Sequence, residues 1–391
     1  MHVILTLPPS KKKRKCILYS LKNMSIKKIN VTQPSLPPLD EFIPYLEQIW
    51  KNKWLTNNGP FHQDFEKELA NYLGVKHLSL FNNGTLALIA ALQVLKIKGE
   101  VITTPYTFVA TSHSLFWNNI KPVFCDINPY DCNIDEKKIE SLITTETTAI
   151  LPVHVYGAPC NTDYIKDIAG THGLKVIYDA AHAFGVKENG NSILNCGDLS
   201  VLSFHATKVF NTFEGGAVIC HDESTKQRLD YIKNFGFKDE LTVVSPGINS
   251  KMNEFQAALG LLQLKKIDKA IENCKGIADK YRSDLGNIEG IRLLEEKYNV
   301  EYNYSYFPIF VEKSYSLSRD SLYSIFKEQN IFVRRYFYPL VVDFSPYRSL
   351  VSIDRLINAR KVSNEVLCLP LFADLEENDQ NKIIEIIKNN A

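Results

Sequence analysis

With 391 residues, the chain has room for one large domain and a smaller partner. Its 45 Lys and Arg balance 44 Asp and Glu, so a formal net charge of +1 supplies no global field for nucleic acid or a membrane surface. An apolar fraction of 45% and a charged fraction of 23% are those of a globular protein, and no apolar run is long enough to span a bilayer.

Taken in chain order, residues 1–25 match nothing that follows. An apolar MHVILTL precedes the basic cluster at residues 11–15 (KKKRK), the reverse of a signal peptide's order, so the chain reads as cytoplasmic. This stretch reads either as a disordered extension upstream of Met24 or as a basic arm for a membrane surface or partner. From Leu39 a helical pattern begins (LDEFIPYLEQIW) and stops at the turn signal Asn57-Asn58-Gly59-Pro60. A second helix follows, with apolar residues at 61, 65, 69, 72 and 73.

Short apolar strands then alternate with amphipathic helices. Strands are predicted at 77–81, 100–103, 122–126, 148–153, 175–179 and 199–203, with helices at 86–95, 135–141 and 163–172. That alternation predicts an α/β fold whose mostly parallel sheet is covered on both faces. No G-x-G-x-x-G is present, so a nicotinamide-type dinucleotide fold has no direct support. A long helical pattern over 253–285 leads into a smaller α+β domain with strands at 304–311 and 331–336. The eight cysteines include no C-x-x-C pair, and several lie in strand-like runs such as Val218-Ile219-Cys220. They read as buried free thiols in a reducing compartment, without a disulfide framework or metal site.

Ligands of a parallel α/β sheet bind at the carboxyl ends of its strands, so the residues there are the candidates. After 77–81 comes Asn82-Asn83-Gly84-Thr85 before a helix, either an ordinary turn and cap or an anion cradle of backbone N–H groups. Asp179 ends the strand at 175–179 and is either an N-cap or a carboxylate for a cation. After 199–203, Ser203 and Lys208 emerge together ahead of Glu214-Gly215-Gly216. Lys208 is either a solvated loop lysine or a desolvated amine of lowered pKa, able to form a Schiff base. A phosphate cradle, a carboxylate and a lysine at successive strand ends are together what pyridoxal 5′-phosphate requires.

The segments WLTNNGPFHQDFEKELANYLGV, NNGTLALIAAL, PYTFVATSHS, PVHVYGAP, VIYDAAHAFG, LSFHATKVFNTFEGGA and GINSKMNEFQAALGLLQL resemble the DegT/StrS family of sugar aminotransferases. The resemblance spans nearly nine tenths of the chain. It implies a fold-type I pyridoxal-phosphate-dependent transferase with a seven-stranded, mostly parallel sheet. The expected division is an extension at 1–25, a large domain at 26–265 and a small C-terminal α+β domain at 266–391.

It further implies that Lys208 is the Schiff-base lysine, that Asp179 partners the pyridine nitrogen and that His182 lies beside the ring hydroxyl. Ser203, Gly84 and Thr85 match phosphate contacts, and Phe108 falls where an aromatic stacks on the ring; from the residues alone Phe108 also fits core packing. Asn249 and Lys251 match a loop that reaches the cofactor phosphate of a neighbouring subunit, which implies a homodimer. Thr56, Arg334, Arg335, Tyr336 and Tyr338 fall where the family lines its sugar-nucleotide cleft. Two arginines suit a diphosphate, and a solvated strand end is the other reading of either.

Family members that act as dehydratases carry histidine at the lysine position, so Lys208 implies transamination. The implied reaction moves an amino group from L-glutamate to C4 of dTDP-4-dehydro-6-deoxy-D-glucose, on the way to O-antigen sugars of lipopolysaccharide. Amination at C3, a UDP-sugar substrate, or a non-catalytic cofactor-binding regulator are the alternatives. No DNA-binding helix-turn-helix accompanies the motifs.

Overall fold

The computed structural model describes residues 27–350 and 355–391. The extension at 1–25, with its basic cluster, lies outside the described residues. The six predicted strands and a seventh, Gly216–Cys220, form one sheet: β1 (His77–Phe81), β2 (Glu100–Thr103), β3 (Lys121–Phe124), β4 (Thr147–Leu151), β5 (Lys175–Asp179), β6 (Leu199–Ser203) and β7 (Gly216–Cys220). Their spatial order is β1-β7-β6-β5-β4-β2-β3. Only β7 runs antiparallel to its neighbours, and it inserts between β1 and β6.

Alternation along each strand builds the two covering layers. Leu78, Leu80, Leu202, Ala217 and Ile219 point to one apolar cluster, while Phe81, Leu199, Val201, Val218 and Cys220 point to the opposite one. The first cluster is closed by helices α1 (Leu39–Asn52), α2 (Pro60–Leu73) and, further along the chain, residues 254–264. The second is filled largely by α3 (Gly84–Val94), whose Ala87, Leu88, Ala90, Ala91, Leu92 and Val94 are all buried. A nearly uniform apolar helix such as α3 has no solvent face to offer, which is why it lies against the sheet. Helix α4 (Val109–Trp117) continues that layer through Leu115.

The pattern at 253–285 divides into two helices, α5 (Glu254–Leu264) and α6 (Ile267–Leu285). Its apolar spacing runs through the break, but the two pieces serve different cores. Ala257 and Ala258 of α5 pack with α2, whereas Cys274, Ala278, Tyr281 and Leu285 of α6 enter a separate cluster with Ile309, Phe326, Leu367 and Ile383. That second cluster surrounds a three-stranded antiparallel sheet of Ile291–Leu293, Phe307–Val311 and Val366–Leu369.

Two expectations there need correction. Strand pairing begins at Phe307 rather than at 304, and 331–336 yields only the two-residue strand Ile331–Phe332. The latter pairs in parallel with Ile29–Asn30, so the start of the described chain is tied to the C-terminal cluster. No helix among the described residues is long and apolar enough to cross a membrane.

Candidate active site

The turn after β1 opens the site. Asn83 caps α3, its side chain accepting from the Leu86 N–H at 2.9 Å. In the first turn the N–H groups of Gly84 and Thr85 have no intrahelical acceptor and carry the positive end of the helix dipole. A Cβ at Gly84 would lie 2.8 Å from Ser203 Cβ, and one at Gly216 would lie 2.8 Å from Gly84 N. Glycine at both positions therefore lets three strand ends converge. Gln256, in the first turn of α5, fastens the edge by donating to the Glu214 carbonyl at 2.6 Å and the Asn82 carbonyl at 3.3 Å.

This convergence borders a cavity of about 250 Å³ lined by Gly84, Thr85, Phe108, Asp179, His182, Ser203 and Lys208. Asp179 is buried. Its Oδ2 accepts from Thr111 Oγ1 at 2.7 Å and its Oδ1 from the Ala181 N–H at 3.1 Å. Burial raises its carboxyl pKa, while Thr111, Ala181 and the nearby Lys208 pull it back. The carboxylate is held in place, and a buried cation partner would be strongly favoured.

His182 is buried and kept neutral, its pKa pushed well below the ordinary value by burial and then by Lys208. Its Nδ1 accepts from the Tyr156 N–H at 3.2 Å. The ring proton of the neutral form therefore sits on Nε2, leaving that nitrogen as a donor.

Lys208 is half-buried, and desolvation brings its pKa down to about 8 against the opposing pull of Asp179. Its amine donates to Tyr306 Oη at 3.1 Å. Phe108 lines the cavity and is 60% exposed, so it is not core packing.

The predicted substrate residues part company here. Tyr336 lines the cavity, but Thr56, Arg334, Arg335 and Tyr338 do not. Arg335 pairs with Asp320 at 2.9 Å and stacks on Tyr323 and Tyr338. The Arg334 backbone bridges to Cys368, and Thr56 is exposed near the NNGP turn. Asn249 and Lys251 bond each other at 2.8 Å and stand apart from the Lys208 cavity within one chain.

Sequence reasoning missed Thr111, Tyr156, Tyr306 and Phe337. Thr111 lies inside the quoted PYTFVATSHS, and only the Asp179 contact reveals its use. The Tyr106 and Tyr156 hydroxyls lie 2.6 Å apart and both lie within hydrogen-bond reach of the Tyr336 carbonyl, so their two protons serve that carbonyl and the contact between them. That fixes the segment carrying Phe337, which stacks on His182 at 5.9 Å. No sequence signal links residues so far apart in the chain.

A mostly parallel sheet with a glycine turn, a fixed carboxylate and a desolvated lysine gathered at its strand ends is the architecture of an α/β enzyme. The chain belongs to the DegT/DnrJ/EryC1/StrS aminotransferase family, whose profile matches residues 39–388. It is 54% identical over 362 residues to a dTDP-4-amino-4,6-dideoxy-D-glucose transaminase of Shigella dysenteriae, covering 93% of this chain and 99% of that one. A protein of the same description from Escherichia coli is 53% identical over 367 residues, again covering 93% and 99%. Among solved structures, DesI in the presence of its TDP-sugar product aligns with a TM-score of 0.88 at 30% identity, covering 93% of this chain and 92% of that one.

Proposed function

We propose that this chain transfers an amino group from L-glutamate to C4 of dTDP-4-dehydro-6-deoxy-D-glucose, giving dTDP-4-amino-4,6-dideoxy-D-glucose and 2-oxoglutarate, with pyridoxal 5′-phosphate attached at Lys208. The observation that carries the reaction class is the Lys208 amine, brought to about 8 inside a cavity that also holds the fixed Asp179 carboxylate. The choice of sugar rests on relatives that are identical at more than half of the aligned residues and are described by that transamination.

The residues present fit the cofactor. The Gly84–Thr85 cradle, which a Cβ would fill, and the Ser203 hydroxyl suit a phosphate. Asp179 suits a ring nitrogen that must stay protonated, the Nε2–H of His182 suits the ring hydroxyl, and Phe108 suits the ring face. When bound, pyridoxal phosphate supplies an aldehyde that bonds to amines and a protonated ring that draws electrons from the carbon losing its proton.

The chain's own work is placement and proton transfer. Asp179 keeps the positive charge at the ring nitrogen. His182 orients the ring without adding charge. With the cofactor bound to the amino donor, the free Lys208 Nζ would serve as the neutral base for the proton on the donor's α-carbon and, once protonated, as the acid, with these roles reversed for the sugar. Tyr336 is the sugar contact within this cavity, and Arg334 is the candidate for the diphosphate; Arg335 would have to leave Asp320 to join it.

The same reading makes the enzyme a homodimer in which Asn249 and Lys251 of one copy face the phosphate of the other. It divides the chain near residue 265 and places the enzyme in the cytoplasm, supplying amino sugars for O-antigen. The free thiols among the described residues fit that compartment.

Purified protein given pyridoxal phosphate should show an absorbance band that L-glutamate converts to that of the aminated cofactor. An unchanged spectrum with glutamate sinks the transaminase reading. NMR of the product from dTDP-4-dehydro-6-deoxy-D-glucose should place the amine at C4, and an amine at C3 or turnover of UDP-sugars alone overturns the choice of sugar.

A further inference from the structure

Lys208 has a partner that the reaction just described does not call on. Among the described residues, the Tyr306 hydroxyl is the hydrogen-bond partner of its amine, at 3.1 Å. The placement of that hydroxyl is closely constrained. Asn303 is 2% exposed, and its Nδ2 donates to the carbonyls of His182 and Phe184, both at 2.9 Å. Its Oδ1 accepts from the Ser305 N–H at 3.1 Å and the Ser305 hydroxyl at 2.7 Å. The chain entering strand Phe307–Val311 is thus clamped to the turn that follows β5.

Tyr306 emerges beside His182, with ring centroids 4.7 Å apart, and is flanked by Tyr156 at 5.7 Å and by the edge of Tyr336 at 6.0 Å. These three rings pack around Tyr306 and direct its hydroxyl toward Lys208.

A free lysine amine on a four-carbon stem has many rotamers, and the nearest charge, Asp179, attracts it. An ion pair with that carboxylate would keep the amine protonated and useless as a base. Asp179 accepts from Thr111 and Ala181, and its pull on Lys208 is through space. A neutral hydroxyl can fix the amine without supplying the negative charge that would protonate it.

We propose that Tyr306 is a positioning residue whose hydroxyl holds the free Lys208 amine in place in the cavity while Nζ takes up and delivers the proton. The proposal rests on Lys208 being the residue to which the cofactor attaches. It concerns the step after that attachment has been released.

The test compares wild type with Tyr306→Phe in single-turnover reaction with L-glutamate and with α-deuterated L-glutamate. The variant should bind cofactor and glutamate as wild type does, lose about tenfold in rate, and show a larger primary isotope effect because proton transfer has become limiting. Site-specific 3-fluorotyrosine at 306, which keeps the hydroxyl in place but weakens it as an acceptor through a small ring substituent, should reproduce the direction of both changes. Rates and isotope effects equal to wild type in the two proteins overturn the proposal. So does a loss confined to glutamate affinity. Borohydride reduction of the loaded wild type, read by mass spectrometry, separates the two levels. No cofactor mass on Lys208 overturns the functional reading as well, while a labelled Lys208 with unaltered variant kinetics overturns the role of Tyr306 alone.

Discussion

Lys208 is charged near neutral pH in the unfolded chain, and burial favours its neutral form in the folded one. Its folded pKa of about 8 lies below the ordinary lysine value, so between those two values the unfolded chain binds more protons than the native one. Stability of the cofactor-free protein therefore rises with pH through that window, and the full penalty is present below about 8. Lys208→Met should make the cofactor-free protein more stable near pH 7, by on the order of 1 kcal/mol once partial exposure is allowed for, and the gain should shrink by pH 10. Urea melts at the two pH values check this. In the wild type, the glutamate half-reaction should accelerate as pH rises through about 8, as the neutral amine becomes populated, and level off beyond it. A flat profile between pH 7 and 9 contradicts Nζ as the base.

Among elements, the junction of β1, α3 and β7 governs the anion cradle. Gly84→Ala puts a methyl carbon 2.8 Å from Ser203 Cβ, closer than real contacts allow, so the α3 turn or the β6 end must move. Cofactor affinity should fall about tenfold or more, as a displaced N–H pair loses its bonds to the phosphate; equilibrium dialysis with pyridoxal phosphate measures it.

The same elements show how far sequence patterning reaches. Strands His77–Phe81, Glu100–Thr103, Lys175–Asp179 and Leu199–Ser203 fall where the apolar runs predict them, because strands buried on both faces stop sharply at turn residues. The 253–285 pattern reads as one helix because its apolar spacing is unbroken, yet the chain turns at Lys265–Lys266 to serve two cores. Local periodicity reports that a face is buried, not which neighbour buries it. Residues 331–336 fail as a strand for a related reason: the partner of Ile331–Phe332 is Ile29–Asn30, at the other end of the described chain.

At the scale of the whole molecule, Asn249 and Lys251 pose the open question, since they stand apart from the cavity of their own chain. If they complete the site of a second copy, Lys208→Ala and Lys251→Ala damage opposite halves of a shared site. Each variant alone should be impaired. Co-refolded in equal amounts, they should regain about a quarter of wild-type activity, because random pairing makes half of the dimers mixed and each mixed dimer keeps one intact site. Failure of the mixture to exceed its separate components would assign Lys251 to its own chain. Sedimentation of the wild type should give a dimer.

The amino-acid sequence by itself determined the order of strands and helices, the glycine turn before α3, and the presence of Asp179, Ser203 and Lys208 at strand ends. All of these follow from short-range periodicity and turn chemistry. Tertiary structure alone decided that Thr111 holds Asp179, that Tyr156 sets the tautomer of His182, that Tyr306 meets Lys208, and that Arg335 is occupied by Asp320. Lys208 and Tyr306 are 98 residues apart, and the hydrogen bond across that separation depends on packing between distant segments, to which the Asn303 clamp contributes. Residue type records what a side chain can do; the partner that makes it do so is chosen by packing between distant segments.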